Sequence, residues 1–341
     1  MPGLSSGFRW LLTLLGLALV LAALAAAAAW HWVDRPLPLA GDHAELSIEP
    51  GATPRQVAQA WVDAGVQASP RLLYEYFRWS GQARRIRAGS YEIGPGTSPR
   101  RLLEKMVLGE ETLEQLRFIE GWTVRQLRAE LARAPHLRHT TGTMSDAELM
   151  AALGEPGVAA EGRFFPDTYA HSRGVSDLVL LKRAHRLLHE HLADAWAQRA
   201  PDTPLKSAEE ALILASIVEK ETGLAADRGR VAGVFVNRLR IGMPLQTDPT
   251  VIYGLGEAFD GNLRKRDLQT DTPYNTYTRG GLPPTPIALP SLASLQAAVR
   301  PEPTKALYFV ARSDGSGGSI FSETLAEHNR AVNQFQRGGR P

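Results

Sequence analysis

Apolar residues follow three different patterns along the chain. From Trp10 to Val33 they are almost continuous: 24 positions carry no Asp, Glu, Lys or Arg. As a helix this run would reach about 36 Å, enough to cross a hydrocarbon core of ~30 Å. Trp10, Trp30 and Trp32 stand near its ends, where indole rings favour the membrane interface. Ala22 to Ala29 would also suit a signal-peptide cleavage site, but the run is longer than a usual signal's apolar region. A retained transmembrane anchor at 10–33 is therefore expected, with 1–9 as a cytoplasmic tail. Arg9 before the span and Asp34-Arg35 after it give a weak preference for the N-terminus inside.

The second pattern is a strand-like run, a turn and then helical spacing. It occurs at Gly51-Ala52-Thr53-Pro54, Gly96-Thr97-Ser98-Pro99 and Gly121-Trp122-Thr123-Val124. Glycine permits the turn, Thr or Ser caps a helix, and Pro suits the first helical position. Strands are predicted before them at 44–48, 90–93 and 116–119. The third pattern, farther on, predicts long helices at 176–199, 207–221 and 224–240, with strands at 307–312 and 319–321. Helices and strands mix without regular βαβ alternation, so the fold class is α+β. The expected domains are a linker at 34–43, a small αβ module at 44–112 and a larger mixed α+β domain at 113–337.

Composition narrows the chemistry. Of 341 residues none is Cys, which excludes disulfides, thiolate zinc sites and cysteine nucleophiles. A net charge of +2 gives no strong pull on nucleic acid. His185 and His189 are four apart on a helix, but Lys182 and Arg186 share that side, so a solvated face is expected and no metal. No phosphate loop or other cofactor fingerprint is present, and no cofactor is expected.

One helix carries the best candidate chemistry. Ser207-x-x-Glu210 reads as a capping box and Gly223 as a stop, and between them an apolar run ends in Glu219-Lys220-Glu221. Glu219 has Leu212, Ala215 and Ser216 on its face, where lost hydration favours a protonated acid. Glu221 stands against Leu214, Ile217 and Val218, and periodicity does not decide between the two. Downstream, Gln246, Thr247 and Asp248, then Tyr253, then Tyr274, Asn275, Thr276 and Tyr277 crowd amides and hydroxyls beside aromatic rings. That combination suits a sugar, although structural turns use the same residues.

Seven stretches carry a family resemblance. They are Glu161–Tyr169, Ala215–Thr222, Val234–Leu239, Leu245–Gly254, Tyr274–Tyr277, Gly281–Pro284 and Leu307–Val310. In this order they resemble the YceG-like endolytic murein transglycosylases (the MltG family), membrane-anchored lyases that cut peptidoglycan glycan strands. The resemblance implies Glu219 as the catalytic residue and a LysM-like module at 44–112. It also implies an inner-membrane, single-pass location with the catalytic domain in the periplasm, and work beside peptidoglycan synthases. The implied reaction cleaves the MurNAc–GlcNAc linkage within nascent strands and leaves 1,6-anhydroMurNAc ends. Two rival readings are a two-carboxylate glycan hydrolase, pairing Glu219 with Asp248, Glu221 or Asp167, and a tethered glycan-binding scaffold. Arg163, Thr285 and Ser319 depart from the residues usual in the family.

Overall fold

The structure, a computed structural model, describes residues 6–337; the first five residues of the expected cytoplasmic tail lie outside them. Helix α1 (Ser6–Asp34) spans the apolar run, and Leu14, Leu17, Val20, Leu21 and Leu24 along it are all exposed. Such a surface is compatible with a single-pass membrane anchor. The chain divides into two compact units. One runs to Glu114 and takes in Ala170–Gly174; the other holds Gln115–Tyr169 and everything from Val175.

The first unit is built from β1 (Ala44–Ile48), α2 (Pro54–Asp63), α3 (Pro70–Trp79), β2 (Gly89–Ile93) and α4 (Pro99–Leu108). Strands β1 and β2 pair antiparallel with Leu46 opposite Tyr91. Thr53 and Ser98 cap α2 and α4 by accepting from the amides of Gln56 and Arg101, the bonds that free helix amides require. Trp61, Leu73, Phe77, Leu102 and Met106 fill the core, with the Trp61 indole N–H on the Met106 sulfur at 3.3 Å. Each such side chain contributes roughly 1.5–3 kcal/mol on leaving water.

The 34–43 stretch, expected as a linker, is packed onto this core. Leu37 is buried and its amide donates to the Thr97 carbonyl at 2.8 Å, while Leu39 bridges to Val66. Alternation of Leu37 and Leu39 with Pro36 and Pro38 turns both leucines inward. The end of α1 is docked as well. Arg100 pairs with Asp34 at 2.6 Å and stands over the Trp30 ring at 5.4 Å, and Trp32 meets Tyr76 edge-on. The Ala170–Gly174 segment belongs here because Arg173 pairs with Glu114 at 2.9 Å and with Glu45.

Strands β3 (Glu114–Arg117) and β4 (Thr168–His171) pair, and the chain changes unit within each. The second unit continues with α5 (Val124–Arg133), α6 (Asp146–Leu153), α7 (Asp177–Ala197), α8 (Ala208–Glu221), α9 (Arg228–Arg240), α10 (Asp248–Leu255), α11 (Lys265–Gln269) and α12 (Leu292–Val299). It closes with the antiparallel hairpin β5 (Tyr308–Ala311) and β6 (Ser319–Ser322), then α13 (Leu325–Val332). The architecture is mixed α+β. Helix α8 is its axis: every residue from Ala211 to Val218 is buried, against α7, α9, α10 and α12. Ser207 caps α8 through the Glu210 amide as predicted, but the Glu210 carboxylate takes the Lys206 amide, so the box closes one residue early.

Candidate active site

Glu219 occupies the last turn of α8, half-buried, just beyond the buried run. Its Oε2 accepts three hydrogen bonds: from the Ser291 amide at 2.9 Å, the Ser291 hydroxyl at 2.5 Å and the Ser294 hydroxyl at 2.7 Å. Ser291 is also the N-cap of α12, accepting from the Ser294 amide at 3.2 Å. The carboxyl thus sits at the N-terminus of α12, with Oε2 fixed by the cap residue and by Ser294. Oε1 has no hydrogen-bond partner among the described residues, so it is the oxygen free to exchange a proton with a ligand.

The segment that brings Ser291 here is tied down along its length. The Ile287 amide donates to the buried Ser216 hydroxyl one turn below Glu219, at 3.0 Å. Leu289 exchanges two backbone bonds with the Gly121–Trp122 turn, at 2.8 and 2.7 Å. Gly121, at φ +75°, lets this turn approach α8, with its carbonyl on the Lys220 ammonium at 3.2 Å. Ser294 is buried, and among the described residues its hydroxyl bonds only Glu219, so it acts on Glu219 by position. Ser294→Ala is expected to lower kcat about tenfold, the worth of one charge-assisted bond, with KM little changed. Steady-state kinetics on glycan strands check this.

Glu221 faces another neighbourhood. Its Oε1 accepts the Thr247 hydroxyl. Burial pushes its carboxyl above the usual range, the Thr247 bond opposes this, and Asp248 adds to it. Of the polar residues singled out downstream, Thr247, Asp248 and Tyr277 lie near Glu221, while Tyr253 reaches Glu161 and Tyr274 reaches Thr285. Asp248 accepts the Tyr277 hydroxyl at 2.6 Å, and the Thr247 amide donates to Thr276 Oγ1 at 3.1 Å. Gln246 takes a left-handed φ of 48°, unusual for a residue with a side chain, and remains exposed.

Three of those residues hold the loop instead of facing solvent. Thr247, Asn275 and Thr276 are at most 2% exposed. The Asn275 amide donates to the carbonyls of Thr270, Leu268 and Asp267 at 2.7, 3.1 and 3.4 Å, and its oxygen accepts the Tyr277 amide. Asn275→Ala strands those carbonyls and is expected to cost about 2 kcal/mol of stability. Denaturant unfolding measures it; an unchanged midpoint beside a raised KM would reassign Asn275 to the substrate.

Glu161 is a second buried carboxyl that the sequence pattern did not single out by itself. Oε1 accepts the Val124 amide at the start of α5 at 3.0 Å and the Gly162 amide at 3.3 Å. Burial raises its pKa to about 7, against the pull of those bonds and of the Tyr253 hydroxyl. Tyr253 in turn meets Tyr274 edge-on at 4.8 Å, and the Tyr274 hydroxyl bonds Thr285 at 2.8 Å. Arg163, another departure from the family pattern, pairs with Glu209 at 2.7 Å. For Ser291 and Ser294 a signal was present: Ser-x-x-Ser before an apolar run is a helix start.

The chain is similar to known proteins over most of its length. The chain is 30% identical over 312 residues to the endolytic murein transglycosylase of Bacillus subtilis strain 168, covering 85% of this chain and 84% of that one. It is 26% identical over 336 residues to the endolytic murein transglycosylase of Streptococcus pneumoniae strain D39, of which it spans 60%. The crystal structure of a YceG-like protein from Listeria monocytogenes superposes with a TM-score of 0.55 at 30% identity, over 85% of this chain and 99% of that one. The sequence pattern of the YceG-like family itself matches residues 46–334, from β1 through α13 with Glu219 and both of its serine partners inside, and the chain belongs to that family.

Proposed function

We propose that the protein is an endolytic peptidoglycan lytic transglycosylase in which Glu219 acts first as acid and then as base. The observation that carries this is the asymmetric carboxyl: Oε2 held by three donors, Oε1 open. In the forward step protonated Glu219 donates to the oxygen between MurNAc C1 and the next GlcNAc. The C1–O bond breaks, the GlcNAc side leaves as an alcohol, and C1 becomes oxocarbenium-like. The carboxylate then takes the proton of the same MurNAc's C6 hydroxyl as O6 closes onto C1. No water is consumed, and Glu219 ends as it began, protonated. Once it has given up its proton, the carboxylate keeps its three donors, which stabilise the charge without reorganisation.

A hydrolase needs a second free carboxylate. Glu221, Asp248 and Asp167 each accept one bond, from the Thr247 hydroxyl, the Tyr277 hydroxyl and the Thr168 amide, and reducing ends among the products would single one of them out as the second carboxylate. The exposed Gln246 and Asp248 and the half-buried Tyr253, Tyr274 and Tyr277 remain the proposed glycan contacts. Thr247, Asn275 and Thr276 shape the loop that presents them.

The order β1-α2-α3-β2 with an antiparallel strand pair supports a LysM-like role for the first unit. Its groove beside Ile48, Pro50, Gly51 and Gln56, of about 340 Å³, is the proposed glycan contact there. Anchoring by α1 would hold the enzyme at the inner membrane with the N-terminus cytoplasmic and both units in the periplasm. Nascent strands leaving peptidoglycan synthases are the proposed substrate, and those synthases the proposed partners.

The test incubates the full chain in detergent micelles, wild type and Glu219→Gln, with uncrosslinked glycan and reads the product ends by mass spectrometry. Anhydro ends from the wild type alone are expected. Reducing ends would replace the mechanism with hydrolysis. Glycan bound but cut by neither protein, where a known transglycosylase cuts it, would leave a binding scaffold.

A further inference from the structure

Helix α7 carries His185 and His189 one turn apart, on one face. The sequence reading placed both on a solvated side, yet His185 is only 8% exposed and lies in the second unit's interior margin near Phe164. The residue that changes the picture is Glu155. Gly154, left-handed at φ +94°, ends α6, and the Glu155 amide returns to the Met150 carbonyl at 2.9 Å. This turn points Glu155 at both imidazoles. His185 Nε2 is 3.1 Å from Glu155 Oε2, His189 Nε2 is 3.0 Å from Oε1, and the two Nε2 atoms are 3.2 Å apart.

We propose that Glu155, His185 and His189 form a site for one divalent transition-metal ion, with Zn2+ the best match to the donors. The spacing is the first reason. Four-coordinate zinc, with bonds of ~2.0–2.2 Å, sets neighbouring donor atoms about 3.3 Å apart. The second reason is proton counting. For both imidazoles to bond Glu155, each Nε2 must carry hydrogen, and two N–H groups then oppose each other at 3.2 Å. A cation resolves this by taking three lone pairs at once. Two imidazoles and one carboxylate are also a zinc donor set that leaves a fourth position to water.

Local electrostatics permit a cation. Arg163, which faces His185, is paired with Glu209, and Arg186 with Glu190. His189 and Glu155 are both partly exposed, so an ion can enter from solvent. Bound there, it would cross-link the turn after α6 to the middle of α7. The site uses none of the residues assigned to glycan cleavage.

The experiment titrates Zn2+ alone into the chelator-treated full chain in detergent micelles by calorimetry, with Co2+ as a spectroscopic stand-in. One equivalent is expected to bind the wild type. His189→Ala and Glu155→Gln, at partly exposed positions, are expected to keep the wild-type circular dichroism and lose about 100-fold in affinity. At free Zn2+ one hundred times Kd, the wild-type unfolding midpoint should rise by about 5–10 °C, and the variants' should not. No stoichiometric uptake by the wild type, or uptake undiminished in both variants, would overturn the site.

Discussion

Glu219→Gln is expected to lower the rate of anhydro-end formation about 10⁴-fold while leaving the fold intact. One proton-transferring side chain contributes about 10²–10⁴-fold, and here a single group serves in both halves of the reaction, so the upper end applies. Glutamine has the same shape and keeps an oxygen for the Ser291 amide and the Ser294 hydroxyl. What it lacks is an acidic proton. Initial rates of product formation, with the unfolding midpoint as a control, measure the effect. A variant within tenfold of wild type would remove Glu219 from the chemistry and turn attention to Glu161 and Glu221, whose carboxyls burial pushes up.

The second large effect concerns stability and pH. Glu161 has its pKa raised by burial to about 7 in the fold, from the usual 4.5 of a glutamate. The folded chain therefore holds a proton that the unfolded chain releases. Below about pH 4.5 both states are protonated and the full stabilising contribution is present. It is lost as pH rises to about 7 and stays lost above that, a total of about 3 kcal/mol. Glu161→Gln is uncharged at every pH, so it removes this dependence. Measured by denaturant unfolding, the variant should gain about 3 kcal/mol on wild type between about pH 4.5 and pH 8. Other titrating groups are common to both proteins and cancel. A difference between the two proteins that does not change with pH would mean that Glu161 is ionised in the fold.

Which of these features the sequence disclosed follows from the range of the forces involved. Helices α7 and α8 lie where periodicity places them, and the Ser207 cap is formed, because period and capping act within one or two turns. Predicted strands at 307–312 and 319–321 correspond to β5 and β6 for the same reason. Glu219 could be ranked from its apolar neighbours, but its partners are 72 and 75 positions away. No local pattern joins them. Glu155 is likewise 30 positions from His185, so the charged neighbours of the histidines dominated the reading. Amide-rich and hydroxyl-rich loops posed a different problem. Gln246 and Asn275 are equally polar in sequence, and only the carbonyls around Asn275 give it internal bonds. Burial of Leu37 was hidden by the prolines beside it, which read as a spacer until the core behind them is seen.

Docking of the last turn of α1 onto its own unit bears on which glycan can be reached. Had residues 34–43 been a free tether, ten flexible residues would let the first unit wander about 17 Å from the end of the anchor. With Asp34 on Arg100, Trp32 on Tyr76 and Leu37 in the core, that slack is gone. With α1 in a bilayer, the first unit rides at a set height, the way a stylus rides on a fixed arm. If the first unit contacts glycan as proposed, strands at that height would be sampled continuously, and strands deeper in the wall would be out of range whatever their chemistry. Selection of new glycan over old would then be a matter of altitude, built into a helix end and requiring no recognition of strand age.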